Sequence, residues 1–194
     1  MTGSTLNNHT IPWVTLAKFI GLYLMVLGHM SLVSEEWGMF IFIFHMPLFF
    51  VLSGMLHKDV DDRVLLTKKL FRKLIVPYII IAFIWCIIYM VLWAKNGMWE
   101  SKYWIGYQVG TFISPGKPFL QFNTLREPLW FLLALAEIKL LASFLKRTWV
   151  MISVSVICVL AILLQSHYGI VIPFALDSAL LAFPFYTIGV LLKY

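Results

Sequence analysis

Long apolar runs alternate along the chain with short polar segments, and each run is close to the length of a membrane-crossing helix. A helix needs about 20 mainly apolar residues to cross a bilayer. Six stretches meet or approach that length: Ile11–Val33, Gly38–Leu56, Leu74–Ala94, Pro128–Leu145, Val150–Leu164 and Ala175–Leu192. The fourth and fifth are the short ones. The pattern predicts an all-α fold, a polytopic transmembrane bundle of about six spans. Neither an internal repeat nor the inverted repeat common in transporters is visible.

Composition agrees. The 194 residues are 61% hydrophobic and 12% charged, where soluble domains carry roughly 25% charged residues. The net charge of +6 would suit nucleic acid, but most of it lies in two short loops. Segment 57–73 holds six Lys/Arg, and the turn before the fifth span holds Lys146 and Arg147. The first loop carries only Glu35 and Glu36. Basic loops stay in the cytoplasm, which places the N-terminus inside and, with six spans, the C-terminus inside too. On this topology the sequon Asn8-His9-Thr10 faces the cytosol. The N-terminus lacks the basic start and cleavage site of a signal peptide. Cys86 and Cys158 lie within spans and read as small core residues, with no disulfide framework and no metal site.

The connection Lys95–Glu127 lies outside. Trp99, Tyr103 and Tyr107 recur every four residues there, one face of a short surface helix ended by the SPGKP turn at 114–118. That face reads as an interfacial aromatic belt or as a platform for a sugar ring.

Polar groups within hydrocarbon are costly and call for a reason. The first span contains Lys18 and His29, eleven residues apart. That spacing leaves them about 20° apart around the helix and roughly 16 Å apart along it, with Lys18 toward the inside and His29 toward the outside. Snorkelling to the interface is the plain reading of Lys18. His45 follows the outer turn, His29 precedes it, and the hairpin is expected to bring both imidazoles to similar depth, roughly 10 Å below the outer surface. Pro47 removes a helical hydrogen bond just past His45. Two histidines beside a distortion favour a pocket for proton transfer, since imidazole titrates near neutrality and takes a proton from an attacking hydroxyl. Ser31 lies on another face from His29, and no G-x-S-x-G elbow is present. Glu137 is expected to point into the bundle and Lys139 to snorkel inward. Asp177 reads as a helix N-cap. Arg126, Glu127 and Trp130, at the entry to the fourth span, read as interfacial anchors or substrate contacts.

LAKFIGLYLMVLGHMSL followed by FIFHMPLFFVLSGML resembles the start of the integral-membrane acyltransferase 3 family, in particular its fucose 4-O-acetylase-like branch. The family's basic residue, ten residues and histidine correspond to Lys18 and His29; FHMPLFFVLSG at 44–54 contains the second-span histidine, His45. KLIVPY, LWFLLAL at 129–135 and LDSALLAFPFYTIGVLL at 176–192 follow in family order. The resemblance implies transfer of an acetyl or similar acyl group from cytoplasmic acetyl-CoA or another acyl-CoA to a hydroxyl on an extracytoplasmic sugar, glycan or lipid-linked acceptor. It needs no metal and no nucleic acid. His29 would be the general base, His45 and Lys18 its catalytic companions, and Glu137, Arg126 and Trp130 the substrate contacts. It further implies a bacterial cytoplasmic membrane. The whole chain would be one domain, truncated at its C-terminus relative to the family's usual ten or so spans, so that missing spans or a partner subunit would complete it. Lysine at position 18 stands where arginine is commoner, keeping the charge but not the bidentate fork. The competing expectations are a small-solute transporter or export partner with histidines as proton relays, and an inactive acyltransferase fragment.

Overall fold

A computed structural model of the chain describes residues 12–28, 34–95, 129–168 and 172–193. Every regular element among them is helical. Helix α1 is Pro12–Gly28, α2 Glu35–Met55 and α3 Arg63–Leu70; α3 runs through a π turn, Phe71–Ile75, into α4, Val76–Lys95. Then come α5 Leu129–Ala142, α6 Thr148–Tyr168 and α7 Leu176–Leu192. The segments 36–55, 63–92 and 148–165 are long and apolar enough to cross a membrane, and α1 and α7 are shorter apolar helices. α5, at fourteen residues, is about 21 Å long, less than the roughly 30 Å of hydrocarbon in a bilayer. The protein is a helical membrane bundle.

The bundle is organised around α7, which packs against α2, α5 and α6. Between helices in lipid there is no hydrophobic driving force, so association rests on close packing at small residues and on interhelical hydrogen bonds. Both are present. Ala179 and Ala182 of α7, with Ala175 just before it, share the main core cluster with Phe50 of α2, Ala134 and Ile138 of α5, and Cys158 of α6. Ser155 of α6 donates to the Thr187 hydroxyl at 2.8 Å, and Thr187 donates on to the Phe183 carbonyl. Where α2 crosses α7, Gly54 and Gly189 face each other. A methyl group built on Gly54 would run into the Tyr186 carbonyl oxygen, and one on Gly189 into that of Val51. A second cluster, Tyr78, Ala82 and Leu129, ties α4 to α5. Large apolar side chains left uncovered by protein, such as Phe19, Tyr23, Phe83, Ile157 and Leu163, form the faces that lipid would cover. Cys86 and Cys158 are buried and unbridged, as small core residues should be.

The structure departs from expectation in three places. The fifth stretch, expected to be short, is the 21-residue helix α6. Segment 57–73, read above as a loop, is helical from Arg63 onward and continuous with the third span. Asp62 starts it, its carboxylate accepting from the Leu65 amide at 3.0 Å as an N-cap does. The basic residues that set orientation are also adequate helix formers, so charge gave no sign of a break. The π turn comes just before Pro77, whose ring would otherwise crowd the carbonyl four residues back; the Val76 amide donates instead to Phe71, five residues back. Asp177 is not the N-cap of α7. That position is Ala175, in a left-handed conformation like Phe174 before it. Asp177 sits in the first turn, 3% exposed, with its carboxylate accepting from the Ser178 amide at 2.7 Å. An anion there is favoured by the exposed amides and the helix dipole.

Candidate functional site

α2 carries His45 at its midpoint, ten residues from either end. The side chain is completely covered. Its Nδ1–H donates to the Ile41 carbonyl at 2.7 Å, one turn back on the same helix. That bond occupies Nδ1 and leaves Nε2 as the ring nitrogen on the other side of the imidazole. α2 passes through Pro47 without a break. Just beyond, Pro47 and Phe50 of α2, Trp130 of α5 and Ser178, Leu181 and Phe185 of α7 line a small, mainly apolar pocket of about 110 Å³.

His29 and Arg126 lie outside the described residues, as do Trp99, Tyr103, Tyr107 and the SPGKP turn. Gly28, the last described residue before His29, approaches Gly38, seven residues ahead of His45. Glu137 is half-buried on α5, and its Oε2 has no hydrogen-bond partner among the described residues. Lys18 is exposed on α1, yet near enough to Lys139 of α5 for the two ammonium groups to repel.

The opposite end of α2 leads into a larger hollow. A cavity of about 330 Å³ lies among the 56–60 segment, the 66–74 stretch of the long helix, α5 and α7. Its polar lining is Lys58, Lys69, Lys73, Lys139, His57 and Tyr186, with Ser143. Leu66, Lys69, Leu70, Lys73 and Leu74 face it at helical spacing, so one face of the basic helix supplies both lysines and apolar wall. Lys139 reaches this cavity from α5.

His57 and Tyr186 meet at 2.8 Å between Nδ1 and the phenol oxygen. Asp59 lies 3.6 Å from the other ring nitrogen, which places the ring proton on Nε2, so that Nδ1 accepts from the Tyr186 hydroxyl. Lys193 at the end of α7 donates to the His57 carbonyl at 2.7 Å. Burial, with the Lys193 and Lys139 charges, lowers the His57 pKa below its usual value against the pull of Asp59. The Lys146 ammonium and the Asp61 carboxylate lie 3.4 Å apart, and the Arg63 guanidinium stacks 4.4 Å over the Phe144 ring. The two basic segments assigned to one side by charge therefore do meet at one end of the bundle.

The lysine cavity was not visible in the sequence, where those residues served only to set orientation. The helical spacing of Lys69 and Lys73 was the available signal. His57 and Tyr186 are 129 residues apart, and nothing local links them. Against known families, one model, described as an acyltransferase domain of the acyltransferase 3 type, matches residues 11–194. No curated protein and no solved structure matches the chain.

Proposed function

The chain belongs to the acyltransferase 3 family, and from that premise we propose that it moves an acetyl or similar acyl group from cytoplasmic acyl-CoA to a hydroxyl of an extracytoplasmic sugar, glycan or lipid-linked acceptor. The observation that carries this reading is the two-ended layout of one bundle. A fully covered imidazole, His45, sits at mid-length of α2, while a lysine-lined cavity opens at one end. Loop charge makes that end cytoplasmic, the side on which an acyl-CoA is available.

In this reading His29, by its place in the family motif, takes the proton from the acceptor hydroxyl. The hydroxyl oxygen bonds to the thioester carbon, the carbon–sulfur bond breaks, and the thiolate leaves and is protonated. His45 is the second proton-accepting group, and Lys18 supplies positive charge toward the donor side. Trp130 offers a ring at the small pocket beyond Pro47, Glu137 an acceptor for a substrate hydroxyl, and Arg126 a contact at the outer entry. The membrane is a bacterial cytoplasmic one. A transporter would call for discontinuous helices in matching positions, whereas α2 and α7 run unbroken through Pro47 and Pro184.

The test is acyl transfer from radiolabelled acetyl-CoA in membranes containing the chain, beside His29→Ala and His45→Ala. Label is expected in a glycan or lipid fraction with the wild-type chain, reduced by about 100-fold or more without the base. Equal label with and without His29 would overturn its assignment. No label from a stably inserted wild-type chain, across candidate acceptors, would overturn the proposed reaction for this chain.

A further inference from the structure

α3 and the π turn after it meet the bundle along one row of side chains. Leu66, Leu70 and Leu74, four residues apart, are partly covered, and every other residue from Arg63 to Lys73 is exposed. Side chains four apart stack on one face of a helix, so the opposite face looks away from the protein. Leu65, Lys68, Phe71 and Arg72 lie on that far side and line a shallow groove. Leu65 is 63% exposed and Phe71 52%. None of the four lines the lysine cavity on the bundle side, which shares only Lys69 and Lys73 with the groove.

Charge on the far face is unbalanced. Among the described residues neither Lys68 nor Arg72 forms an ion pair or a side-chain hydrogen bond. The carboxylates at this end of the bundle are committed elsewhere. Asp59 faces His57, Asp61 faces Lys146, and Asp62 caps α3.

Depth is the second constraint. α4, Val76–Lys95, has 20 residues, enough by itself to cross the hydrocarbon. The π turn Phe71–Ile75 continues the same helix and so emerges into the headgroup layer, roughly 5–8 Å thick on each side. Five residues of helix span about 7.5 Å, which fills that layer. Phe71 is then an aromatic at the interface, with Arg72 beside it and Lys68 one turn further out. Cations alone would be a solvated surface. An exposed aromatic ring between unpaired cations, at headgroup depth, fits a molecule that offers anionic phosphate and apolar chain together.

We infer that the outer face of α3 and its π turn is a docking surface for an anionic phospholipid, with Lys68 and Arg72 on the headgroup phosphate and Phe71 against the adjoining chain. The assignment does not depend on the acyl-transfer reading.

The full chain in neutral detergent is titrated with phosphatidylglycerol or phosphatidylcholine at two salt concentrations, and bound lipid is counted by native mass spectrometry. The variants are Lys68→Gln/Arg72→Gln, the charge-retaining Lys68→Arg/Arg72→Lys, and Lys58→Gln, a cation on the same side that lines the cavity and not the groove. All are exposed or half-exposed positions, where substitution seldom costs stability, and circular dichroism checks their helix content. Phosphatidylglycerol is expected to bind the wild type more tightly than phosphatidylcholine, by a margin that narrows at higher salt. Each cation lost from the groove is expected to weaken it about fivefold, with the charge-retaining pair and Lys58→Gln close to wild type. Equal phosphatidylglycerol affinity in the wild type and the glutamine pair would overturn the assignment, as would a wild type that does not distinguish the two lipids. Displacement of phosphatidylglycerol by inorganic pyrophosphate from the wild type would show a site for soluble phosphates, and the lipid assignment would be wrong.

Discussion

At the residue scale the His57–Tyr186 pair has the clearest consequence. Nδ1 of a neutral His57 accepts from the phenol; a protonated ring has no lone pair left for it. Because burial holds the folded-state pKa below the usual 6.5, the folded protein binds fewer protons than the unfolded one. The pair's contribution is therefore complete above pH 6.5 and is lost as the pH falls through the lowered folded value. Asp59 opposes this shift and Lys193 and Lys139 reinforce it. The thermal midpoint in detergent is expected to fall on acidification below that pH, and His57→Gln to flatten the dependence. A His57→Gln protein with the wild-type slope would show that other groups carry it. His45 is held differently: its Nδ1 donates to a carbonyl of its own helix.

At the element scale the decisive contact is the α2–α7 crossing. The Cα atoms of Gly54 and Gly189 sit where a Cβ on either would come within 3.0 Å of the other, and the nearest obstacles are backbone carbonyls, which cannot rotate away. Gly54→Ala and Gly189→Ala are each expected to cost about 1–3 kcal/mol, the range for overpacking a tight core. Gly38→Ala, whose Cβ would find its nearest neighbour at 3.9 Å, serves as the near-neutral control. Denaturant unfolding of the three variants measures this; equal stability of all three would mean that the crossing loosens at little cost. The same crossing holds Tyr186 against the start of the 57–62 segment, so a loosened α2–α7 contact is expected to weaken the lysine cavity as well. α3 teaches the complementary lesson. A basic segment between apolar runs reads as a loop when only charge is weighed, yet Leu66, Lys69, Leu70 and Lys73 keep helical spacing, and a residue capable of N-capping, Asp62, stands at its start.

For the whole molecule, the meeting of Asp61 with Lys146 and of Lys193 with the His57 carbonyl gathers three chain segments at one end. Asp61→Cys and Lys146→Cys, each exposed, are therefore expected to react with a membrane-impermeant thiol reagent from the same side of sealed vesicles, the cytoplasmic one. Cys86 and Cys158 are buried and give a low background. Labelling from opposite sides would break the topology. The charge asymmetry, the apolar run lengths and the Lys18–His29 and His45 motifs were all legible in the linear chain. Hydropathy and loop charge act locally on each segment as it meets the bilayer, so they leave a local record. Motif residues likewise sit at helical spacings that a single span displays.

What the linear chain could not contain is the packing order. α7 as the central helix, the glycine crossing, the Ser155–Thr187 bond and the cavity that joins Lys58 to Lys139 all depend on which helix faces to apply to one another. In lipid every helix face is apolar enough, so hydropathy does not choose among faces. Steric fit between small residues, and hydrogen bonds between side chains distant in sequence, make that choice. The sequence by itself determined that this is a helical membrane protein of its family with its basic segments gathered in a few short stretches. Only the tertiary structure decided that four lysines from three segments surround one cavity, because that depends on distances between helices and not along them.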